Sequence, residues 1–302
     1  MRPPRLPAAL QHLRRAAMSS LSSSSSSSPA AAAPPAHVAS ALRRAQAVCF
    51  DVDSTVVRVE GIDELAAFHG KGAAVAALTR GAMGGSVPFR EALRARLALI
   101  APTRASLEAF LAAHPPAAQL SPGVARLVAA LHARGTHVFL VSGGFRQMIA
   151  PVAEALGVPP ERVFANSILF KDAAGAGAGE GAGEGAGAGA DEGAGAYAGF
   201  DEREPTSRDG GKADVVRALV AARGYAPVVV VGDGVTDMQA RPPADAFVGY
   251  GGVVAREAVE RGADWFVRDF ADVLAVVEAG AREGVAVEPI AQAQAQAQAR
   301  AQ

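Results

Sequence analysis

Short apolar runs alternate with amphipathic stretches along most of this sequence, and that alternation limits the fold more than any other feature. "AVCF" (47–50), "HVFLVS" (137–142), "PVVVVGD" (227–233) and "AFVGY" (246–250) are β-branched or aromatic, and each is bounded by Gly, Pro or Asp. Between them, "PGVARLVAALHARG" and "KADVVRALVAARG" repeat apolar residues at three and four positions and stop at a glycine, as helices do. Strands without polar alternation need both faces covered, and the intervening helices can cover them. The pattern therefore predicts an α/β protein on a doubly wound parallel sheet. In such sheets, ligands sit beyond the carboxyl ends of the strands.

Composition narrows the function classes. Half of the 302 residues are apolar and the formal charge is -1, enough for one sizeable core or two modest ones. No basic stripe supports a nucleic-acid partner, whose affinity would rest on phosphate neutralisation. The longest apolar runs fall well short of the roughly 18 to 20 residues that span a bilayer. Small molecules are the expected partners, with no nucleic acid and no membrane. Cys49 is the only cysteine, so an internal disulfide is excluded; it reads as a small apolar strand residue.

Three segments stand apart from the predicted core. Residues 1–46 carry Arg2, Arg5, Arg14, Arg15, Arg43, Arg44 and a serine run from Ser22 to Ser28, and no acid precedes Asp51. That resembles an organellar transit peptide, with the chloroplast stroma as destination and the mitochondrion as the alternative; a compositionally biased leader without targeting function is the other reading. Residues 173–196 are Gly and Ala with a few acids and predict a disordered loop. Residues 286–302 end in an Ala/Gln repeat and predict a frayed tail. The aromatic residues Tyr197, Phe200, Trp265 and Phe270 read as core packing.

Three of the four strands end on polar residues. Asp51 and Asp53 follow the first, Ser142 and Gly143 close the second, and Asp233 and Asp237 follow the third. Each group alone has an ordinary account, since aspartates cap helices and Ser-Gly-Gly makes turns. Together they bring four carboxylates and a hydroxyl to one edge, and clustered anions repel unless a cation neutralises them. An all-oxygen donor set favours a hard cation, magnesium first. "DGGKADVV" adds Lys212 at a helix start, where its ammonium and the free N–H groups can face an anion, although a solvated lysine there is as common. It is not a nucleotide P-loop, because Ala213 stands where Ser or Thr would bind the metal. Nor is "LVSGGF" a nucleophile elbow, since Leu140 stands where that motif needs glycine.

"DVDSTV", "VSGG", "GGK" and "VGDGVTD" stand in the order of the four motifs of the haloacid dehalogenase-like superfamily, which the chain resembles. The resemblance tightens to its phosphoserine phosphatases through "DVDSTVVRVEGIDELA", "GAMGGSVPFREALRARLALI", "VFLVSGGFR", "FANSILF", "YAGFDE" and "GDGVTDMQARPPADAFVGYGG". It covers about residues 47–280, interrupted by the 173–196 insertion. It implies a core over 47–59 and 121–285, a helical cap over 60–120, a small β-hairpin insertion, and a homodimer as an allowed assembly. "VFANSILF" and "AYAGF" read as the two hairpin strands.

The resemblance also implies roles. Asp51 would attack the phosphorus of O-phospho-L-serine, and Asp53 would protonate the leaving oxygen and later take a proton from water. Two residues of extended chain place both side chains on one face, which makes that division possible. Magnesium would be held by the Asp51 and Asp233 side chains and the Asp53 carbonyl, supported by Asp237. Ser142, Gly143, Gly144, Lys212 and Thr236 would bind the phosphate end. Glu60 would meet the ammonium and Arg96 the carboxylate, with Met83 and Gly84 lining the same pocket. Another haloacid dehalogenase-like phosphatase or phosphotransferase, and a non-catalytic binding module, are the alternatives. An aspartate at 53 argues against a dehalogenase, since a halide needs no acid to leave.

Overall fold

The structure, a computed structural model, describes residues 32–82, 87–172 and 194–288. The chain begins with helix α1 (Ala36–Arg44) and strand β1 (Ala47–Phe50), followed by the helices α2 (Gly61–Phe68), α3 (Gly72–Ala82), α4 (Phe89–Ile100), α5 (Arg104–Ala113) and the single turn α6 (Pro116–Gln119). Then come α7 (Val124–Ala133), β2 (His137–Phe145), α8 (Arg146–Ala155), β3 (Val163–Asn166), β4 (Ile168–Phe170) and β5 (Tyr197–Phe200). The last part runs α9 (Gly211–Arg223), β6 (Val228–Gly232), α10 (Val235–Met238), β7 (Ala246–Tyr250), α11 (Glu257–Gly262), β8 (Trp265–Val267) and α12 (Phe270–Arg282). No helix among the described residues is long and apolar enough to cross a membrane.

Six strands form the main sheet in the order β3-β2-β1-β6-β7-β8, all pairs parallel. Along β1, Val48 and Phe50 join the core on one face while Ala47 and Cys49 join the core on the other, as the two-residue period of a strand requires. The first face packs on α1, α7 and α12 through Val38, Leu42, Leu127, Leu131, Phe270 and Val277. The second packs on α9 through Val215, Val216 and Leu219. Phe270 stacks on Tyr250 at 4.1 Å and meets Phe50 edge-on at 6.3 Å, so its truncation to alanine would cost roughly 3 to 5 kcal/mol.

Strand order places the site. The chain winds outward from β1 through β2 and β3, then returns to β6 on the other side of β1, so the crevice of a reversed strand order lies beside β1. Register aligns Phe50 with both Leu140 and Val231, and the Asp51 N–H continues the ladder to Val231 O at 2.9 Å. The residues just beyond β1, β2 and β6 therefore meet at one edge.

Helices α2 to α6 form the insertion between β1 and α7, and they bury Leu65, Leu93, Leu97, Ile100, Leu107 and Phe110 in a third apolar cluster with Phe145, Ile168 and Phe200. β4 and β5 pair antiparallel, Ile168 opposite Phe200, as the hairpin reading expects. Of the segment expected as a loop, residues 173–193 lie outside the described residues. At its described end, residues 194–196 form a turn leading into β5, in which Gly195 donates to Lys171 O and Lys171 donates to Ala196 O, both at 2.8 Å.

The leader expected over residues 1–46 does not reach that far, because α1 belongs to the core. Val38, Ala41, Leu42 and Ala45 are buried, and Trp265 Nε1 donates to Ala32 O at 2.7 Å. Positions 38, 41, 42 and 45 follow the i, i+3, i+4, i+7 spacing of a buried helix face, a signal that the arginine and serine bias overshadows. Gln46 is buried too and donates to Glu288 O at 2.8 Å, which ties the first residues of the expected tail to the sheet. Residues 1–31 and 289–302 lie outside the described residues.

Candidate active site

The turn after β1 shapes the centre of the site. Asp51 leaves the strand in extended backbone, its Oδ1 accepting the Val52 N–H at 2.7 Å. Val52–Val56 then forms one wide, irregular turn closed by the Val57 N–H on Val52 O at 2.9 Å, with Asp53 inside it still extended. Within it Ser54 sits at φ 52°, which costs a non-glycine residue on the order of 1 kcal/mol. The Ser54 hydroxyl donates to Glu60 Oε1 at 2.7 Å, and Asp53 Oδ1 accepts the Gly61 N–H at 2.9 Å. The turn thus fixes Asp51, Asp53 and Glu60 against one another.

β2 runs on through Gly143 and Gly144, past its expected end at Ser142. Ser142 Oγ accepts the Gly144 N–H at 2.9 Å, while buried Asn166 donates to Gly143 O at 2.7 Å and accepts from Thr206 Oγ1 at 3.1 Å. On the other side, Gly232 ends β6 where no side chain fits, since a Cβ there would fall 2.2 Å from Asp237 Cγ. That close approach seats Asp237 under the strand end, with Oδ2 accepting the Gly234 N–H at 3.0 Å.

These pieces close on one another. Lys212 Nζ, at the start of α9, lies 2.8 Å from Asp51 Oδ1 and 2.7 Å from Asp237 Oδ1. The Thr55 hydroxyl donates to Asp233 Oδ1 at 3.0 Å, and Asp233 Oδ2 is ion-paired with Arg256 Nη1. Carboxylate oxygens of Asp51, Asp233 and Asp237, all buried, lie within 4.8 Å of one another. Such a buried all-oxygen set suits a hard divalent cation, and the residues present fit one. The Asp53 carboxylate is outside that trio, its expected contribution being a backbone carbonyl.

The surroundings of Asp53 favour its protonated form. Burial, followed by the charges of Glu60 and Asp51, pushes Asp53 up to about 7, with the Gly61 N–H and Lys212 pulling the other way. Asp53 can therefore hold a proton near neutral pH. Burial and Asp51 likewise push Asp237 up to about 7. Burial opposes the charge of Lys212, but Asp237 and Asp51 outweigh it and hold the ammonium above its usual range.

A cavity of about 230 Å³ joins the parts. Asp51, Asp53, Glu60, Arg96, Ser142, Gly143, Gly144, Lys212, Asp233 and Thr236 all line it, and Asp237 lies beneath. Arg96 enters from α4, its Nε donating to Ala92 O at 3.1 Å, and burial lowers its pKa. Met83 and Gly84 lie outside the described residues. Sequence reasoning missed Arg256, which lines the cavity from the loop after β7. That loop follows a strand end like the others, so the rule that found Asp233 could have reached it. It also missed Phe89, Asn166 and Thr206, which no spacing distinguishes from core residues.

A family model described as haloacid dehalogenase-like hydrolase matches residues 48–240. The phosphoserine phosphatase of Mus musculus is 47% identical over 234 residues, covering 78% of this chain and 94% of its own. The chloroplastic phosphoserine phosphatase of Arabidopsis thaliana is 49% identical, covering 77% of this chain and 72% of its own. Among solved structures, DsGPDH of Dunaliella salina superimposes with a TM-score of 0.68 at 33% identity, over 82% of this chain but only 38% of that longer one.

Proposed function

The chain belongs to the haloacid dehalogenase-like hydrolases and, within them, to the phosphoserine phosphatases, and from that premise we propose that it hydrolyses O-phospho-L-serine to L-serine and phosphate through an aspartyl-phosphate on Asp51. The observation that carries the reading is the pairing of Asp51, held by Lys212, with Asp53, two positions further along and raised to about 7.

In the first half-reaction an Asp51 carboxylate oxygen attacks phosphorus in line with the ester oxygen. The bond from phosphorus to the serine oxygen breaks, and the Asp53 proton passes to that oxygen, so serine leaves neutral at its hydroxyl. In the second, Asp53, now ionised, takes a proton from a water whose oxygen attacks phosphorus; the Asp51–phosphorus bond breaks and both aspartates return to their starting states. Lys212, the Ser142 hydroxyl and the Gly143 N–H would meet the phosphoryl oxygens, where fixed donors stabilise the charge of the transition state; the Gly144 N–H holds the Ser142 oxygen from behind and leaves its O–H free to donate, and the Thr236 side chain adds to that end. Asp51, Asp233 and Asp237, with the Asp53 carbonyl, would hold magnesium, which supplies charge neutralisation to the phosphoryl group.

Glu60 and Arg96 read the amino-acid end, the one accepting from the ammonium and the other gripping the carboxylate through paired N–H groups. The reaction supplies L-serine from its phosphate ester, the closing step of the phosphorylated route to serine. A leader within residues 1–31 would carry the chain to the plastid; the chloroplastic relative supports that reading. Release of phosphate from O-phospho-L-serine, measured beside an aryl phosphate, tests the activity. Turnover strongly favouring phosphoserine is expected, and equal turnover of both would overturn the substrate assignment.

A further inference from the structure

Helix α4 carries Arg96 to the cavity on one face and grips the core with another. Phe89, Leu93 and Arg96 line the cavity at the i, i+4, i+7 spacing of one helix face. Arg90 and Arg94 each stand one position beyond a lining residue and project from the flank of the helix. There Arg94 Nη2 lies 2.6 Å from Glu202 Oε1, and Arg90 Nη2 donates to Glu202 O at 3.1 Å and to Ser207 Oγ at 3.3 Å. The Arg94 hydrogen bond holds the Glu202 carboxyl below its usual range, so the pair is charged at neutral pH. Glu202 itself sits on a fixed base. Its carbonyl accepts from the buried Ser207 hydroxyl at 3.0 Å, and the turn Pro205–Ser207 packs so closely on Gly211 that a Cβ there would overlap Pro205 O. The next residue is Lys212. One carboxylate thus joins the helix that bears Arg96 to the segment that bears Lys212.

We propose that Glu202 is a positioning residue for substrate selection, which fixes the span between Lys212 at the phosphate end of the cavity and Arg96 at the carboxylate end. The inference rests on the proposed roles of Lys212 and Arg96. O-phospho-L-serine has a limited reach from phosphate to carboxylate, and a paired guanidinium grip tolerates little displacement once the phosphate is seated. Losing the Glu202 carboxylate releases α4 from the core at that rim, so Arg96 no longer stands in register with the substrate carboxylate. An aryl phosphate offers Arg96 nothing to read, and its hydrolysis does not depend on that span. Arg90 keeps its contact with the Glu202 carbonyl whatever the side chain, and an exposed ion pair contributes modestly, so the effect is a graded loss rather than an abolition.

Steady-state kinetics of the full chain on O-phospho-L-serine and on an aryl phosphate test it. Glu202→Ala should lower kcat/KM on phosphoserine about threefold to tenfold, chiefly by raising KM, and leave the aryl phosphate within about twofold of wild type. Glu202→Asp, which keeps the charge on a shorter arm, should fall between the two. Arg94→Ala, at a half-exposed side chain that does not line the cavity, should repeat the Glu202→Ala pattern and carries the test should that variant not fold. In an Arg96→Ala background, adding Glu202→Ala should change phosphoserine kcat/KM by less than about twofold, since the residue being positioned is gone. An equal fall on both substrates, no fall on either, or a full additional fall in the Arg96→Ala background overturns the proposal. A wild type that does not prefer phosphoserine, or an Arg96→Ala protein that keeps the preference, removes the reading beneath it and the proposal with it.

Discussion

A methyl group on Gly144 would stand 2.7 Å from Oδ2 of Asp53. The aspartate oxygen ends a rotatable side chain, so it would yield before the backbone does. Gly144→Ala is therefore expected to melt within a few degrees of wild type while kcat on phosphoserine falls tenfold or more, because a displaced acid no longer meets the leaving oxygen. Unchanged kcat would mean that Asp53 acts from another position.

The raised pKa of Asp53 makes stability depend on pH in a definite direction. Below about pH 3 the carboxyl is protonated in both the folded and the unfolded chain and has no effect. As pH rises toward 7 the unfolded chain releases this proton at its ordinary value of 3.8 while the folded chain keeps it, so stability is lost across that window and the full penalty stands above 7. Asp53→Asn removes the penalty. In EDTA at pH 8 the variant should be more stable than wild type by on the order of 1 to 4 kcal/mol, and by pH 4 most of the difference should be gone. Denaturant melts at the two pH values check this; a gap that does not change with pH contradicts it.

Selectivity for the amino-acid end is expected to separate from chemistry. Arg96→Ala and Glu60→Gln should each lose phosphoserine turnover by roughly thirty-fold to a thousand-fold in kcat/KM, yet keep slow hydrolysis of an aryl phosphate that has neither charged group. Arg96→Lys should also weaken binding, since an ammonium cannot copy the paired grip. A parallel fall on both substrates would place these residues in catalysis or folding instead.

Truncation tests where the folded chain begins. Removing residues 1–31 should leave solubility and activity intact. Removing residues 1–46 should abolish soluble expression, because it takes Val38, Ala41 and Leu42 of α1 out of the core and each large buried side chain is worth several kcal/mol against a total stability of about 5 to 15. A soluble, active protein lacking 1–46 would show that α1 is dispensable.

Much of this arrangement is legible in the sequence because it rests on local signals. The all-apolar runs 47–50 and 246–250 coincide with β1 and β7, and the polar residues after β1, β2 and β6 meet where parallel register requires. The less legible parts depend on distant partners. The segment around α1 is held by Trp265 and by Arg134, whose guanidinium donates to Arg43 O at the end of the helix, and no periodicity announces partners so far along the chain. Arg256 reaches the site only because β7 lies next to β6 in the sheet. The strain at Ser54 is likewise invisible in sequence, since nothing in "DVDSTV" distinguishes a left-handed serine from a strand residue.

The central claim is that Asp51 carries the phosphoryl group. Rapid acid quenching of the Mg²⁺-loaded enzyme during turnover of labelled O-phospho-L-serine, followed by peptide mapping, tests it most directly. The account predicts acid-stable label on the peptide containing Asp51, lost in a folded but inactive Asp51→Asn protein and accumulating in Asp53→Asn if the second half-reaction is the slower one. Full turnover with no label at Asp51, or near-normal activity of Asp51→Asn, would contradict it.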